Sequence, residues 1–237
     1  PSFRTHFEIH CNKIYIMMKV LMTGAGAPGG PGIIRGLQQD SNIDLLVCDV
    51  NPEATGKFLN EKFEQILMAD DDRFIDHLLE TCLKHSIDVV FPLVTKELLQ
   101  LAENKKLFKG HGITIVVSDY PSLKIANDKS ALYEHLKINN ILTPDFRVVN
   151  TYGELEIAFN ELGFPANPIC IKPSISNGSR GVRIIDENIN ELDLLFNHKP
   201  HSLYMSFDKL GKVLRGEKFP EILVSEFLPG EEYTIDT

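Results

Sequence analysis

The sequence predicts an α/β protein in two parts, a doubly wound parallel sheet followed by a mixed α+β region, and three observations carry that prediction. Short apolar runs alternate with amphipathic segments as far as Val117, and a glycine-rich turn joins the first run to the first amphipathic segment. After Tyr120-Pro121 the pattern changes to strands spaced by polar loops. Strands that read as unbroken apolar runs are buried on both faces, and a parallel sheet is covered on both faces by the helices that connect its strands.

Residues 1–18 precede the pattern. They begin charged and polar, and their apolar stretch at 14–18 is too short for a signal-peptide core, so they read as an extension, with Met17 or Met18 as a native start. Strands are expected at 19–23, 43–49, 87–92 and 114–117, alternating with helices at 31–39, 71–85 and 96–108. The turn Gly24-Ala25-Gly26-Ala27-Pro28-Gly29-Gly30 opens the first helix, and Asp49 ends the second strand where a ribose-binding acid would stand in a dinucleotide site. The competing reading is that these glycines only permit a tight turn and close helix–strand packing, which Pro28 and Pro31 favour. On either reading residues 19–120 form a Rossmann-like unit.

The second part, 121–237, opens with a helix expected at 122–139, carrying Asn127-Asp128-Lys129 within it, and a break at Thr143-Pro144. A strand at 146–149, a helix at 152–162 capped by Thr151, and a strand at 169–172 follow. The loop 173–180 leads into a strand at 181–185. Residues 197–219 are polar and lysine-rich and are expected to form a long irregular connection. Two strand-like runs, 221–226 and 232–236, are joined through Pro229-Gly230.

Composition narrows the function. With 237 residues and 43% hydrophobic content the chain can bury one large core or two modest ones. Its net charge of −9 gives no attraction to a phosphate backbone or an anionic membrane, so neither nucleic acid nor membrane is expected as a partner. No apolar run reaches the length of about 18 residues that spans a bilayer, and a cytoplasmic location is expected. Cys11, Cys48, Cys82 and Cys170 show no metal-ligand spacing and read as reduced, small apolar residues. Pro200 separates His198 from His201 and no third ligand is near, so no metal site is assigned.

Three separated features make one chemical sense together. Ile171-Lys172-Pro173 ends an apolar strand and sets an ammonium at the lip of a sheet, although a strand-end lysine is often only a solvated charge. In the small-residue loop Ser174-Ile175-Ser176-Asn177-Gly178-Ser179-Arg180-Gly181-Val182, glycines let backbone N–H groups approach phosphate oxygens, while Ser179 and Arg180 add donors and charge. Its plain alternative is a hairpin. Last, Ser225-Glu226-Phe227-Leu228-Pro229-Gly230-Glu231-Glu232-Tyr233 can meet a purine edge with its backbone, shield its face with Phe227 or Leu228, and accept from ribose hydroxyls at Glu232. Its plain alternative is an acidic turn.

The order Asn127-Asp128-Lys129, Ile141-Leu142-Thr143-Pro144, Ile171-Lys172-Pro173, Gly178-Ser179-Arg180-Gly181-Val182 and 225–236 resembles the ATP-grasp superfamily, and is most similar to the carbamoyl-phosphate synthase large subunit. The stretch 24–32, Asp49-Val50-Asn51-Pro52 with Gly56, and Phe91-Pro92-Leu93-Val94 leading to Glu97 are similar to the domain that precedes the grasp there. The resemblance implies a pre-ATP-grasp domain at 19–120 and a partial ATP-grasp domain at 121–237, with a lid lobe at about 146–225 and a truncated C-terminal lobe. It implies ATP as cofactor, with Lys129 and Lys172 on its phosphates or adenine and Asn177, Gly178, Ser179, Arg180 and Gly181 as the flap over the β- and γ-phosphates. Glu226, Phe227 and Leu228 would hold the adenine edge, and Glu232 the ribose. Ser176 stands where the family commonly has glycine.

The same resemblance implies Mg²⁺, with metal ligands and a catalytic arginine expected beyond Thr237, so no catalytic residue is assigned and this chain is expected to be incomplete for catalysis. The parent activity it implies is a ligase that phosphorylates a small-molecule carboxylate for attack by an amine or similar nucleophile. Two alternatives stay open: a non-catalytic nucleotide-binding module, and an NAD-dependent enzyme using Gly24–Gly29 and Asp49. Glu97 is expected as an exposed helix-start carboxylate favoured by the helix dipole, with a place facing the substrate pocket as the alternative. A homo-oligomer is compatible with the sequence, which leaves the oligomeric state open.

Overall fold

The computed structural model describes residues 17–198, 203–231 and 233. The chain divides after Leu123 into two compact units, which are taken in turn.

In the first unit, β1 (Met18–Met22), β2 (Ile43–Asp49), β3 (Phe63–Gln65), β4 (Val89–Phe91) and β5 (Thr114–Ile115) form one sheet in the order β3-β2-β1-β4-β5. Every pairing is parallel. The connections carry α1 (Gly30–Leu37), α2 (Phe74–His85), α3 (Thr95–Glu103) and α4 (Lys105–Gly110). Side chains alternate along a strand, and here both faces are buried. Val20, Met22, Leu45 and Val47 pack with Ile34 of α1 on one face. Leu21, Leu46 and Cys48 pack with Phe74, Leu78, Leu101 and Phe108 on the other. That division is why the runs read as unbroken. The helix expected at 96–108 is two helices, because Asn104 leaves helical geometry and turns its side-chain amide back onto the Gln100 carbonyl at 2.9 Å.

The second unit contains α6 (Lys129–Ile138), β6 (Phe146–Val149), α7 (Tyr152–Glu161), β7 (Ile169–Pro173), β8 (Arg183–Ile185), α8 (Glu191–Asn197), β9 (Tyr204–Met205), α9 (Phe207–Leu214) and β10 (Ile222–Glu226), while α5 (Tyr120–Ala126) spans the division. Its sheet runs β6-β10-β7-β8-β9, antiparallel except for the β8–β9 pair. Ile169, Ile171, Ile222 and Val224 face Leu155 and Phe159 of α7 and Leu210 of α9. Each fully buried leucine or phenylalanine there contributes roughly 1.5–3 kcal/mol. On the opposite face, Phe146 meets the Tyr133 ring of α6 edge-on, with centroids 5.3 Å apart. Lys172, adjacent to core-facing Ile171, therefore lies on the α6 side.

Local chemistry explains where this unit departs from the sequence reading. The helix expected at 122–139 is interrupted, because the Asp128 carboxylate accepts the Ser130 and Ala131 N–H groups at 2.9 and 3.1 Å and so starts a new helix at Lys129. Of the run 197–219, expected as an irregular connection, residues 199–202 lie outside those described, and the described residues supply β9 and α9, the latter capped by Ser206 and buried through Leu210. Thr151 caps α7 as expected, in a full capping box with Glu154. Cys48, Cys82 and Cys170 are free and buried, as expected. Cys11, His201 and the runs 1–16 and 232–236 include or are residues outside those described. Among the described residues no helix is long and apolar enough to cross a membrane.

Candidate functional site

In the second unit three sequence-predicted elements meet at one end of β7. Lys172 is the penultimate residue of that strand and Lys129 the first of α6. The main chain joins them, since the Lys129 N–H donates to the Ser174 carbonyl at 2.8 Å, and the Ser130 and Ser174 hydroxyls lie 2.5 Å apart. The Lys129 ammonium donates to the Ser176 carbonyl at 2.7 Å, to Ser176 Oγ at 3.1 Å and to the Pro173 carbonyl at 3.4 Å. Partial burial lowers the Lys129 pKa, and the charge of Lys172 lowers it further against the opposing pull of Asp128. Among the described residues the Lys172 ammonium has no carboxylate or hydrogen-bond partner.

Beyond Ser176 the loop is exposed and held by its own bonds, with Arg180 Nη1 donating to the Asn177 carbonyl at 3.2 Å. Gly178, Ser179 and Gly181 have positive φ. At Gly181 a side chain is also excluded by space, because a Cβ would sit 2.5 Å from Pro173 Cγ. This loop therefore presents N–H groups and one guanidinium beside two ammonium groups.

Glu226 pairs with Ile169 at the other end of β7, whereas Leu223 pairs with Lys172. Three residues of strand, about 10 Å, separate the Glu226–Leu228 segment from Lys172, the order of length between a nucleotide base and its outer phosphates. Glu226 Oε1 accepts the Asp145 N–H at 3.1 Å, and the Phe227 N–H donates to the Pro168 carbonyl at 3.3 Å, so these groups fix the segment. Leu228 is exposed. Glu232, read as the ribose acceptor, lies outside the described residues.

The first unit has its own crevice at the carboxyl ends of β1, β2 and β4, where the strand order reverses, the usual ligand position in an open parallel sheet. Gly24, Asp49, Met68, Val94 and Glu97 line a cavity of about 100 Å³ there. Both Asp49 carboxylate oxygens are already engaged there: Oδ2 accepts the Gly26 N–H at 2.7 Å and Oδ1 the Asn51 N–H at 2.9 Å. Glu97 corrects the expectation of an exposed helix-start carboxylate. It is 3% exposed and accepts from Thr23 Oγ1 at 2.5 Å. Burial, opposed by the Thr23 hydrogen bond and aided by the charge of Asp49, raises its pKa from the usual 4.5 to about 7. The signal missed is positional, since Thr23 and Glu97 follow β1 and β4 and parallel strands collect such residues at one edge.

Residues 20–116 match the family described as PylC-like, N-terminal domain. "Uncharacterized protein y4rH" of Sinorhizobium fredii is 30% identical over 115 residues, 48% of this chain and 21% of that protein. The chain thus spans about a fifth of the curated relative it matches. Among solved structures, N5-carboxyaminoimidazole synthetase from Staphylococcus aureus, complexed with ADP, aligns at TM-score 0.59 and 17% identity over 89% of this chain and 48% of that one. Carboxyaminoimidazole ribonucleotide synthase from Aspergillus clavatus, complexed with ATP, aligns at 0.61 and 16% over 91% and 48%. The biotin carboxylase domain of Hydrogenobacter thermophilus 2-oxoglutarate carboxylase, in complex with MgADP, ADP and bicarbonate, aligns at 0.56 and 17% over 90% and 45%. At such identities the likeness is one of fold, and this chain spans about half of each. The chain shares the fold of these structures, and its residues 20–116 are similar to the PylC-like N-terminal domain.

Proposed function

We propose that this chain forms the nucleotide-binding part of an ATP-dependent ligase, in which ATP phosphorylates a carboxylate and an amine or similar nucleophile displaces the phosphate. The observation that carries this reading is the meeting of Lys129 and Lys172 at the root of a glycine-containing loop, in a chain whose net charge is −9. Phosphoryl transfer asks a protein for positioning and for cations where negative charge develops, not for a nucleophile. Lys129, Lys172, Arg180 and the N–H groups of 177–181 supply both, with Glu226–Leu228 as the base-binding segment and residues 146–225 as a lid that excludes water from the acyl phosphate.

The ADP, ATP and bicarbonate held in the similar structures support ATP and a small carboxylate as ligands. A closer kinship to the carbamoyl-phosphate synthase large subunit rests on the sequence motifs. Among the described residues no group of three His, Cys, Asp or Glu is arranged to hold a metal ion, so the Mg²⁺ that the resemblance implies finds no ligand set there.

Calorimetric titration of the purified chain with Mg²⁺-ATP and, separately, NAD⁺ tests this reading. ATP binds, NAD⁺ does not, and Lys172→Ala weakens ATP by about 10–100-fold, the loss expected for one charge-assisted phosphate contact. Binding of NAD⁺ without ATP, or unchanged ATP affinity in Lys172→Ala, overturns it.

A further inference from the structure

The Lys129 ammonium has three N–H donors, and all three point at the root of the phosphate loop: the Ser176 carbonyl at 2.7 Å, Ser176 Oγ at 3.1 Å and the Pro173 carbonyl at 3.4 Å. The Ser176 hydroxyl in turn donates to the Pro173 carbonyl at 3.4 Å. Lysine, serine and carbonyl thus close a small ring that ties the first turn of α6 to the segment on which Asn177–Gly181 is mounted. An amine this engaged cannot also meet a phosphate without giving up an acceptor.

We infer that Lys129 is a positioning residue that clasps the loop root in the nucleotide-free chain, and that a nucleotide phosphate competes with the loop for this one cation. The competition half rests on the nucleotide site proposed above, whereas the clasp does not. The ammonium is partly buried and crowded by Lys172, so an arriving anion draws it away from neutral acceptors, and each acceptor lost loosens the loop. Ser176 sets the balance. A glycine at this position would leave Lys129 only carbonyls, so the serine makes this chain's loop harder to release.

Amide hydrogen exchange without nucleotide tests the clasp. Lys129→Met raises exchange at Arg180 and Val182, whose N–H groups donate to the Asn177 and Ser179 carbonyls, by about fivefold or more while the strand amides of β7 and β10 stay protected, and Lys129→Arg, which keeps the charge and several donors, restores most of the protection. A general loss of packing would instead raise exchange throughout the unit. Unchanged exchange at Arg180 and Val182 in Lys129→Met, or a rise spread over the whole sheet, overturns the clasp.

Titration with Mg²⁺-ATP tests the competition. Ser176→Ala removes one acceptor and tightens ATP by about two- to fivefold, opposite in sign to the effect of deleting an ordinary ligand contact. Unchanged or weaker binding overturns the competition. If the wild-type chain binds no ATP, the proposed cleft fails and the competition with it, and the exchange result alone decides the clasp.

Discussion

Two glycine-rich turns occur in this chain, and they differ in what stands opposite them. At Gly24–Gly30 the Asp49 carboxylate reaches into the turn and takes the Gly26 N–H at 2.7 Å, with a second carboxyl, Glu97, buried nearby. At the loop after β7 the neighbours are Lys129 and Lys172, and Arg180 lies within it. An anion arriving at the first turn meets negative charge and a donor already engaged; at the second it meets three cations. Glycine spacing describes a backbone path, and the sign of the ligand is set by side chains brought in from other elements.

The largest effect expected from this contrast is on pH dependence in the first unit. Glu97 is raised from the usual 4.5 to about 7. Between these values the folded chain keeps a proton that the unfolded chain has released. The stabilisation is therefore complete below pH 4.5 and is lost as pH rises through 7, on the order of 3 kcal/mol. Urea unfolding from pH 4 to 8 follows it: wild type loses stability across this window and Glu97→Gln does not. A flat wild-type curve, or a slope kept in Glu97→Gln, removes the buried carboxyl from the comparison.

A smaller effect tests how tightly the first turn is closed. Gly56 packs beneath it, and a Cβ there would lie 2.5 Å from Ala25 Cβ and 2.7 Å from the Ala25 carbonyl oxygen, which is main chain and cannot step aside. Gly56→Ala is expected to cost about 2 kcal/mol through this overlap. Gly36→Ala, inside α1 with no atom within 4 Å of its Cβ, is expected to gain about 0.5–1 kcal/mol. Chemical denaturation of both variants gives shifts of opposite sign if the turn is a packed structural corner. Equal tolerance at the two positions would mean it has room to open for a ligand.

The parallel sheet was legible because its strands are buried on both faces and its helices have clear apolar stripes. The α9 segment was not, although Phe207, Leu210 and Leu214 recur at i, i+3 and i+7, because eight residues set in a polar, lysine-rich stretch are short for a helix to be assigned from pattern. The three-residue strand β3 is too short to show alternation at all. At the candidate site, Lys172 and the loop were readable as residue types beside a strand. That Lys129 touches the loop was not, since the contact spans 47 residues and depends on Asp128 restarting a helix. Glu97 was misjudged for a similar reason: helix position suggested exposure, while the crowded carboxyl edge of the sheet imposed burial.

The smallest effect separates the two turns most cleanly. Asp49 accepts two main-chain N–H groups, one from the glycine turn and one from Asn51. Asn at this position keeps one accepting oxygen but sets an amide N–H₂ against the other donor, so Asp49→Asn should cost about 1 kcal/mol of stability. Because the carboxylate closes the turn and does not wait for a ribose, the same substitution should leave Mg²⁺-ATP affinity unchanged and create no affinity for NAD⁺. Under a dinucleotide reading the order reverses, with NAD⁺ bound by the wild type and weakened about tenfold or more in the variant, for the loss of a charged partner to the ribose hydroxyls. Stability and binding thus move apart in one reading and together in the other, and calorimetry beside a denaturation curve on this one variant distinguishes them.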